Sequence, residues 1–103
     1  MFAVVRELYF DPEKLAAGSD QMTEFTTFHN QQPGCQGQVV VDAGAERILA
    51  VEFWESEAQF AASREAVGRE ADRLMGPMAT GAARVVGAGP VIYDSAAQRT
   101  PQA

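Results

Sequence analysis

"AVEFWESEAQF", residues 50–60, passes from an apolar run into a helix start within a few positions. Back from Trp54 the chain reads as a strand, roughly 47–55, "RILAVEFWE", rich in β-branched and aromatic residues. Forward from it, Ser56 and Gln59 make the S-x-x-Q pattern of a capping box, and Glu57 sets a negative charge in the first helical turn. Phe60, Val67, Ala71, Leu74 and Met78 then recur at helical spacing as an inward stripe, which "MGPM" at 75–78 loosens or breaks. The pivot of the fold is thus a strand delivered straight into a capped helix.

Upstream, "AGAE" at 43–46 reads as a hairpin connection because Gly44 accepts positive φ, and it joins that strand to another, "QGQVVVD" at 36–42. "QQPG" at 31–34 ends a preceding helix, since Pro33 cannot continue the hydrogen-bond ladder. That helix begins at "DPEK", with Asp11 as N-cap and Pro12 at the first helical position. Leu15, Met22, Phe25, Phe28 and His29 lie on its apolar stripe, and Gly18 weakens it early. "FAVVRELYF", 2–10, reads as the first strand, and roughly 83–93 as the last, with "GAGP" marking a bulge or an edge. The polar tail "SAAQRTPQA", 95–103, is expected to be disordered, which leaves one domain over 1–94.

The order β-α-β-β-α-β is the split βαβ, or ferredoxin-like, arrangement: an α+β fold with both helices on one face of a four-stranded antiparallel sheet. The first and third strands are expected side by side at its centre, running parallel. Both faces of these strands are apolar. Leu49, Val51 and Phe53 oppose Ile48, Ala50 and Trp54, while Val5 and Tyr9 oppose Phe2, Val4, Leu8 and Phe10. Helices cover only one face, so the other would meet water unless a partner hides it. A homodimer with sheets packed face to face is expected.

Composition removes several classes of function. The 103 residues suit one domain, and 8 basic against 14 acidic side chains give a net charge of −6. That charge repels a phosphate backbone and no basic cluster offsets it, so nucleic acid is not an expected partner. One cysteine and one histidine fall short of the roughly four ligands of a structural zinc site, and no metal is expected. A single cysteine allows no internal disulfide and fits a reducing compartment. No apolar run approaches the ~20 residues that span a bilayer. The N-terminus is apolar for four residues before Arg6 and Glu7 intervene, too short for a signal segment. A cytoplasmic protein that does not engage membranes is expected.

The junction "FWESEAQF", the element order and "LMGP" at 74–77 together resemble the antibiotic biosynthesis monooxygenase family of dimeric α/β barrels, over about residues 2–94. The resemblance implies O₂ chemistry on quinol-like or anthrone-like aromatics with no cofactor, since an electron-rich hydroxyaromatic that loses a proton can itself reduce O₂. Such a protein need only bind, deprotonate and exclude water. It also implies that Trp54 helps form the substrate site. The polyketide-oxidising members carry an asparagine where this chain has Ala50 and a tyrosine where it has Phe60. Their helix arginine is matched by Arg64 or Arg69 at a different spacing. The haem-degrading members need an asparagine on the first strand, a tryptophan near the place of Ser63 and a histidine on the second helix; this chain has none of them.

Phe25, Phe28, Phe53, Trp54, Phe60 and Tyr93 are the candidate substrate-binding residues, and His29, Glu52 and Arg64 the candidate catalytic ones. Trp54 either walls a pocket or closes the core where strand meets helix. His29, the only imidazole, is the natural general base or else a helix-end residue favouring the dipole. Glu52 and Arg6 each interrupt an apolar strand. They form either a buried pair holding the dimer interface or, with Glu7, a source of a proton acceptor in the cavity. Cys35 has no base near it in sequence and is not expected to be a catalytic thiol. The expected function is a cofactor-independent monooxygenase for a small hydroxyaromatic compound; the alternative is a non-catalytic dimer that binds a small apolar ligand.

Overall fold

The computed structural model describes residues 1–95 and places them in the order β1 (Phe2–Tyr9), α1 (Pro12–Ala17), α2 (Ser19–Asn30), β2 (Cys35–Gly44), β3 (Arg47–Trp54), α3 (Glu57–Met75) and β4 (Arg84–Pro90), with a 3-10 turn at Gly76–Met78. The sheet order is β2-β3-β1-β4, and every neighbouring pair is antiparallel. This is the α+β, ferredoxin-like arrangement. The expectation that β1 and β3 run parallel is wrong. The helical crossover returns β2 in the direction of β1, and the hairpin then reverses β3, so the central pair opposes: Phe2 faces Trp54 and Tyr9 faces Arg47.

Local chemistry sets the boundaries. Asp11 Oδ1 accepts from the amides of Glu13 at 2.9 Å and Lys14 at 3.1 Å, which starts α1. Gly18 does more than weaken the first helix: it divides it, its backbone at φ −95° and ψ 27° leaving the helical region, and it packs against the Met78 side chain. The hairpin between β2 and β3 uses positive φ at Gly44, Ala45 and Glu46 in succession. Ser56 Oγ accepts from the Gln59 amide at 3.2 Å and donates to Gln59 Oε1 at 2.8 Å. The Gln59 side chain in turn rests on Gly34, whose φ of +82° suits glycine at the turn into β2. The Glu55 amide donates to Gly34 C=O at 2.7 Å, so the approach to α3 is fastened to the turn that leads into β2.

β4 ends at Pro90, three residues short of the expected strand, and its pairing with β1 is shifted by a bulge between Val5 and Arg6. The expected disordered tail lies outside the described residues, Ser95 excepted. Alternation along β1 and β3 puts Phe2, Val4, Ala50 and Trp54 under the helices. Two apolar clusters form there. Phe10, Leu74, Met75 and Met78 make one, and Phe2, Val4 and Trp54 the other, with Phe60 packed against it. On the opposite face Val39 is 54% and Val41 46% exposed beside half-buried Leu49, Val51 and Phe53. Among the described residues no helix is long and apolar enough to cross a membrane.

Candidate functional site

Between the helices and the sheet lies a cavity of about 440 Å³, walled among others by Phe25, His29, Glu52, Phe60, Ser63 and Arg64. Each element supplies its residue for a local reason. The α2 stripe of Met22 and Phe25 continues to His29 at helical spacing, so the imidazole faces the sheet and is 1% exposed. Glu52 sits mid-strand between Ala50 and Trp54 on the helix-covered face of β3, and is 4% exposed. Phe60 and Arg64 stand one turn apart on α3.

The buried Glu52 carboxylate is well partnered. Arg6 Nε donates to Oε2 at 3.0 Å, Arg6 Nη2 lies 3.5 Å from Oε1, and the Trp54 indole N–H donates to Oε1 at 3.0 Å. His29 Nε2 stands 3.5 Å from Oε2 without hydrogen-bond geometry, and it is a buried polar atom with no hydrogen-bond partner. Burial is the largest influence on Glu52 and pushes its carboxyl up. His29, Arg6 and Trp54 together outweigh it and hold the group at about 2. Glu52 is therefore ionised at neutral pH, a poor proton acceptor but a strong partner for a cation.

The other side of the imidazole faces the turn. His29 Nδ1 lies 3.5 Å from both Asn30 Oδ1 and Cys35 Sγ, and the Gly37 amide donates to that sulfur at 3.5 Å. Asn30 Oδ1 and the Glu52 carboxylate both only accept, so they draw the ring proton to opposite nitrogens, and the roles of Nδ1 and Nε2 follow the tautomer. The aromatic packing is continuous: the His29 and Trp54 rings are 5.5 Å apart edge to face, and Trp54 and Phe60 are 5.9 Å apart.

The wall thus unites Phe25, His29, Glu52, Phe60 and Arg64. Phe28 and Trp54 are not in it; Trp54 is fully buried behind His29 and Phe60 as the floor on which they rest. Phe53 faces the opposite side of the sheet. Tyr93, 82% exposed, follows the end of β4 and has left the sheet. The Arg6–Glu52 pair exists, but under the helices rather than on the open face where a dimer interface was expected. Glu7 does occupy the open face, tied to Arg47 and, at 2.8 Å, to Arg84; those two arginines, Arg84 foremost, lower its carboxyl to about 2. Cys35, set aside in the sequence for want of a nearby base, touches His29 because the Pro33–Gly34 turn folds β2 back onto the end of α2. A histidine and a cysteine flanking a Pro-Gly turn were the signal available for that contact. Among the described residues no group of three or more His, Cys, Asp or Glu could hold a metal ion.

The profile named for antibiotic biosynthesis monooxygenase matches residues 1–70. The chain belongs to the antibiotic biosynthesis monooxygenase family. Solved structures agree with it in fold. A Nitrosomonas europaea protein of unknown function has a TM-score of 0.72 at 13% identity, over 91% of this chain and 91% of that one. A structure named only as an antibiotic biosynthesis monooxygenase gives 0.70 at 18% identity, over 90% and 100%. Rv0793 from Mycobacterium tuberculosis gives 0.68 at 14% identity, over 91% and 97%. Among curated proteins none matches.

Proposed function

We propose that this family member is a cofactor-independent monooxygenase that oxidises a small hydroxyaromatic or quinol-type compound with O₂, working as a homodimer in the cytoplasm. The observation that carries the reading is His29 Nε2, a buried nitrogen without a hydrogen-bond partner, beside an ionised carboxylate in the wall of a largely apolar cavity. A purely apolar binding pocket has no need of such a group. In this reading a ring hydroxyl gives its proton to Nε2, and Glu52 steadies the imidazolium that results. The Arg6 guanidinium keeps Glu52 ionised throughout.

The substrate supplies the electrons. For a ring carbon that bears one hydrogen and is conjugated to the ionised oxygen, the anion passes an electron to O₂ and the radical pair joins through a new C–O bond. The peroxide takes back the proton from His29. Loss of the remaining C–H proton and cleavage of O–O then leave a carbonyl and water. One oxygen atom enters the product, the other becomes water, and no further reductant is consumed. The family's asparagine and tyrosine are absent at Ala50 and Phe60, so proton transfer falls to His29 in this chain.

Oxygen uptake with a panel of quinols and anthrones, without added flavin or metal, tests the proposal. Uptake with one labelled atom from ¹⁸O₂ in the product is the expected result. Binding of panel members without uptake would favour the second reading, a non-catalytic carrier, for which the missing hydroxyl at Phe60 speaks.

The dimer follows from the open sheet face, where Val39, Val41, Leu49, Val51 and Phe53 form an apolar field too large to leave in water. Sedimentation at micromolar concentration should give twice the monomer mass of 11.1 kDa. A monomer there would overturn this part of the proposal.

A further inference from the structure

We infer that the cavity ligand carries a carboxylate, or an acidic group of like geometry, and that Arg64 receives it. The chain has a surplus of carboxylates, 14 acidic side chains against 8 basic. Every other described arginine has used one: Arg6 meets Glu52, Arg47 and Arg84 meet Glu7, Arg69 meets Glu65, and Arg73 meets Glu24 and Glu70. Arg64 alone among the described arginines has no carboxylate within ion-pair distance, although it stands on a helix rich in glutamates. Its neighbours one turn away on α3 are Phe60, Ala61, Val67 and Gly68, none of them acidic.

The guanidinium instead lies 5.9 Å from the centre of the Phe60 ring, at the wall of the cavity. Arg6 is also 5.9 Å from that ring, but Glu52 already neutralises it. Arg64, exposed at the rim of the cavity, therefore carries the positive charge of this end that no carboxylate meets. Asp72, also in the wall, is eight residues further along α3, about 12 Å by helical rise. Charge along this wall thus runs from Arg64 at the Phe60 end to Asp72 at the other, which favours an acidic ligand lying with its charge towards Phe60. An arginine fork binds a carboxylate through paired N–H donors, and an aromatic ring beside Phe60 would bring that group within its reach.

The inference deepens the proposed function by naming the substrate class, a hydroxyaromatic acid, and rests on that reading only in taking the cavity as the ligand site. Its test is binding rather than turnover. Calorimetric titration at low ionic strength would compare a hydroxynaphthoic acid with its methyl ester, on wild type, Arg64→Gln and Arg64→Lys. The acid should bind at least about tenfold more tightly than the ester to wild type, as expected for a charge-assisted contact. In Arg64→Gln the preference should fall to near unity with the ester's affinity little changed, and Arg64→Lys should restore part of it. Equal binding of acid and ester, a preference that survives Arg64→Gln, or no binding of either compound would overturn the inference. Oxygen uptake is scored separately. An acid preference without uptake would count against the monooxygenase alone, and uptake with neutral quinols but no acid preference against the Arg64 assignment alone.

Discussion

Glu52→Ala should cost the folded state about 3–5 kcal/mol, the usual penalty for removing one member of a buried charged cluster. Two donors converge on that carboxylate, the Arg6 guanidinium and the Trp54 indole, and His29 Nε2 stands 3.5 Å from it. Arg6 is partly exposed and can turn to water, but the Trp54 N–H is fully buried and would lose its acceptor, Glu52 Oε1. A domain of this kind has roughly 5–15 kcal/mol in all, so the loss would be a large share of its stability. Glu52→Gln keeps the volume and one acceptor oxygen and should cost less. Chemical denaturation at one fixed protein concentration measures both, so that any self-association enters the two measurements alike. A cost below about 1 kcal/mol for the alanine variant would mean that the cluster is not a structural keystone.

The same carboxylate sets a pH dependence with a definite sign. Its pKa is lowered from 4.5 to about 2 on folding, so its ionised form favours the folded state. That contribution is complete above pH 4.5 and disappears as pH falls towards 2. A shift of this size corresponds to about 3 kcal/mol at 1.36 kcal/mol per unit. Glu7 is lowered over the same range by Arg84 and Arg47, so wild type should lose stability from both groups on acidification. Glu52→Gln should retain only the Glu7 part and show a visibly shallower loss between pH 4.5 and 2. Equal acid slopes for wild type and variant would contradict the assignment.

What the sequence disclosed follows the range of the interactions involved. The junction at Trp54–Glu57 was legible because strand alternation and a capping box are both written within ten residues. The division of the first helix was not, since Gly18 read only as a weak point and the Met78 side chain packed against it comes from sixty residues away. Alternation correctly separated Phe53 from Trp54, but it does not say which side the helices take, so both entered the candidate site. Tyr93 was assigned from a strand that ends at Pro90, beyond which nothing holds it over the core. The Arg6–Glu52 pair was readable as two charges in apolar strands. Its place under the helices required the register of β1 on β3, which the sequence does not carry. The contact of His29 with Cys35 is short in sequence yet depends on how sharply one turn closes.

His29→Ala should lower turnover of any quinol or anthrone substrate by about 10²–10⁴, the usual contribution of a positioned general base. The reason is specific to this cavity. Of the polar groups at the Phe60 end of the cavity, the arginines are permanently protonated and Glu52 is held ionised at about 2, so neither type readily takes up a proton at neutral pH, and Asp72 stands two turns away along α3. The serine and glutamine in the wall have no useful basicity. The imidazole remains, with its Nε2 buried, without a hydrogen bond and 3.5 Å from a carboxylate that would stabilise the proton once received. Because His29 is 1% exposed, its removal also opens space inside the protein, and a stability loss could mimic a catalytic one. Added imidazole separates the two: it should enter the vacated space and restore turnover in proportion to its concentration, which a merely misfolded variant would not show. Ligand affinity, measured by calorimetry, should change only a few-fold, so the loss falls on kcat. Turnover within threefold of wild type in the alanine variant would remove His29 from the mechanism, and with it the proton acceptor on which the oxygen chemistry depends.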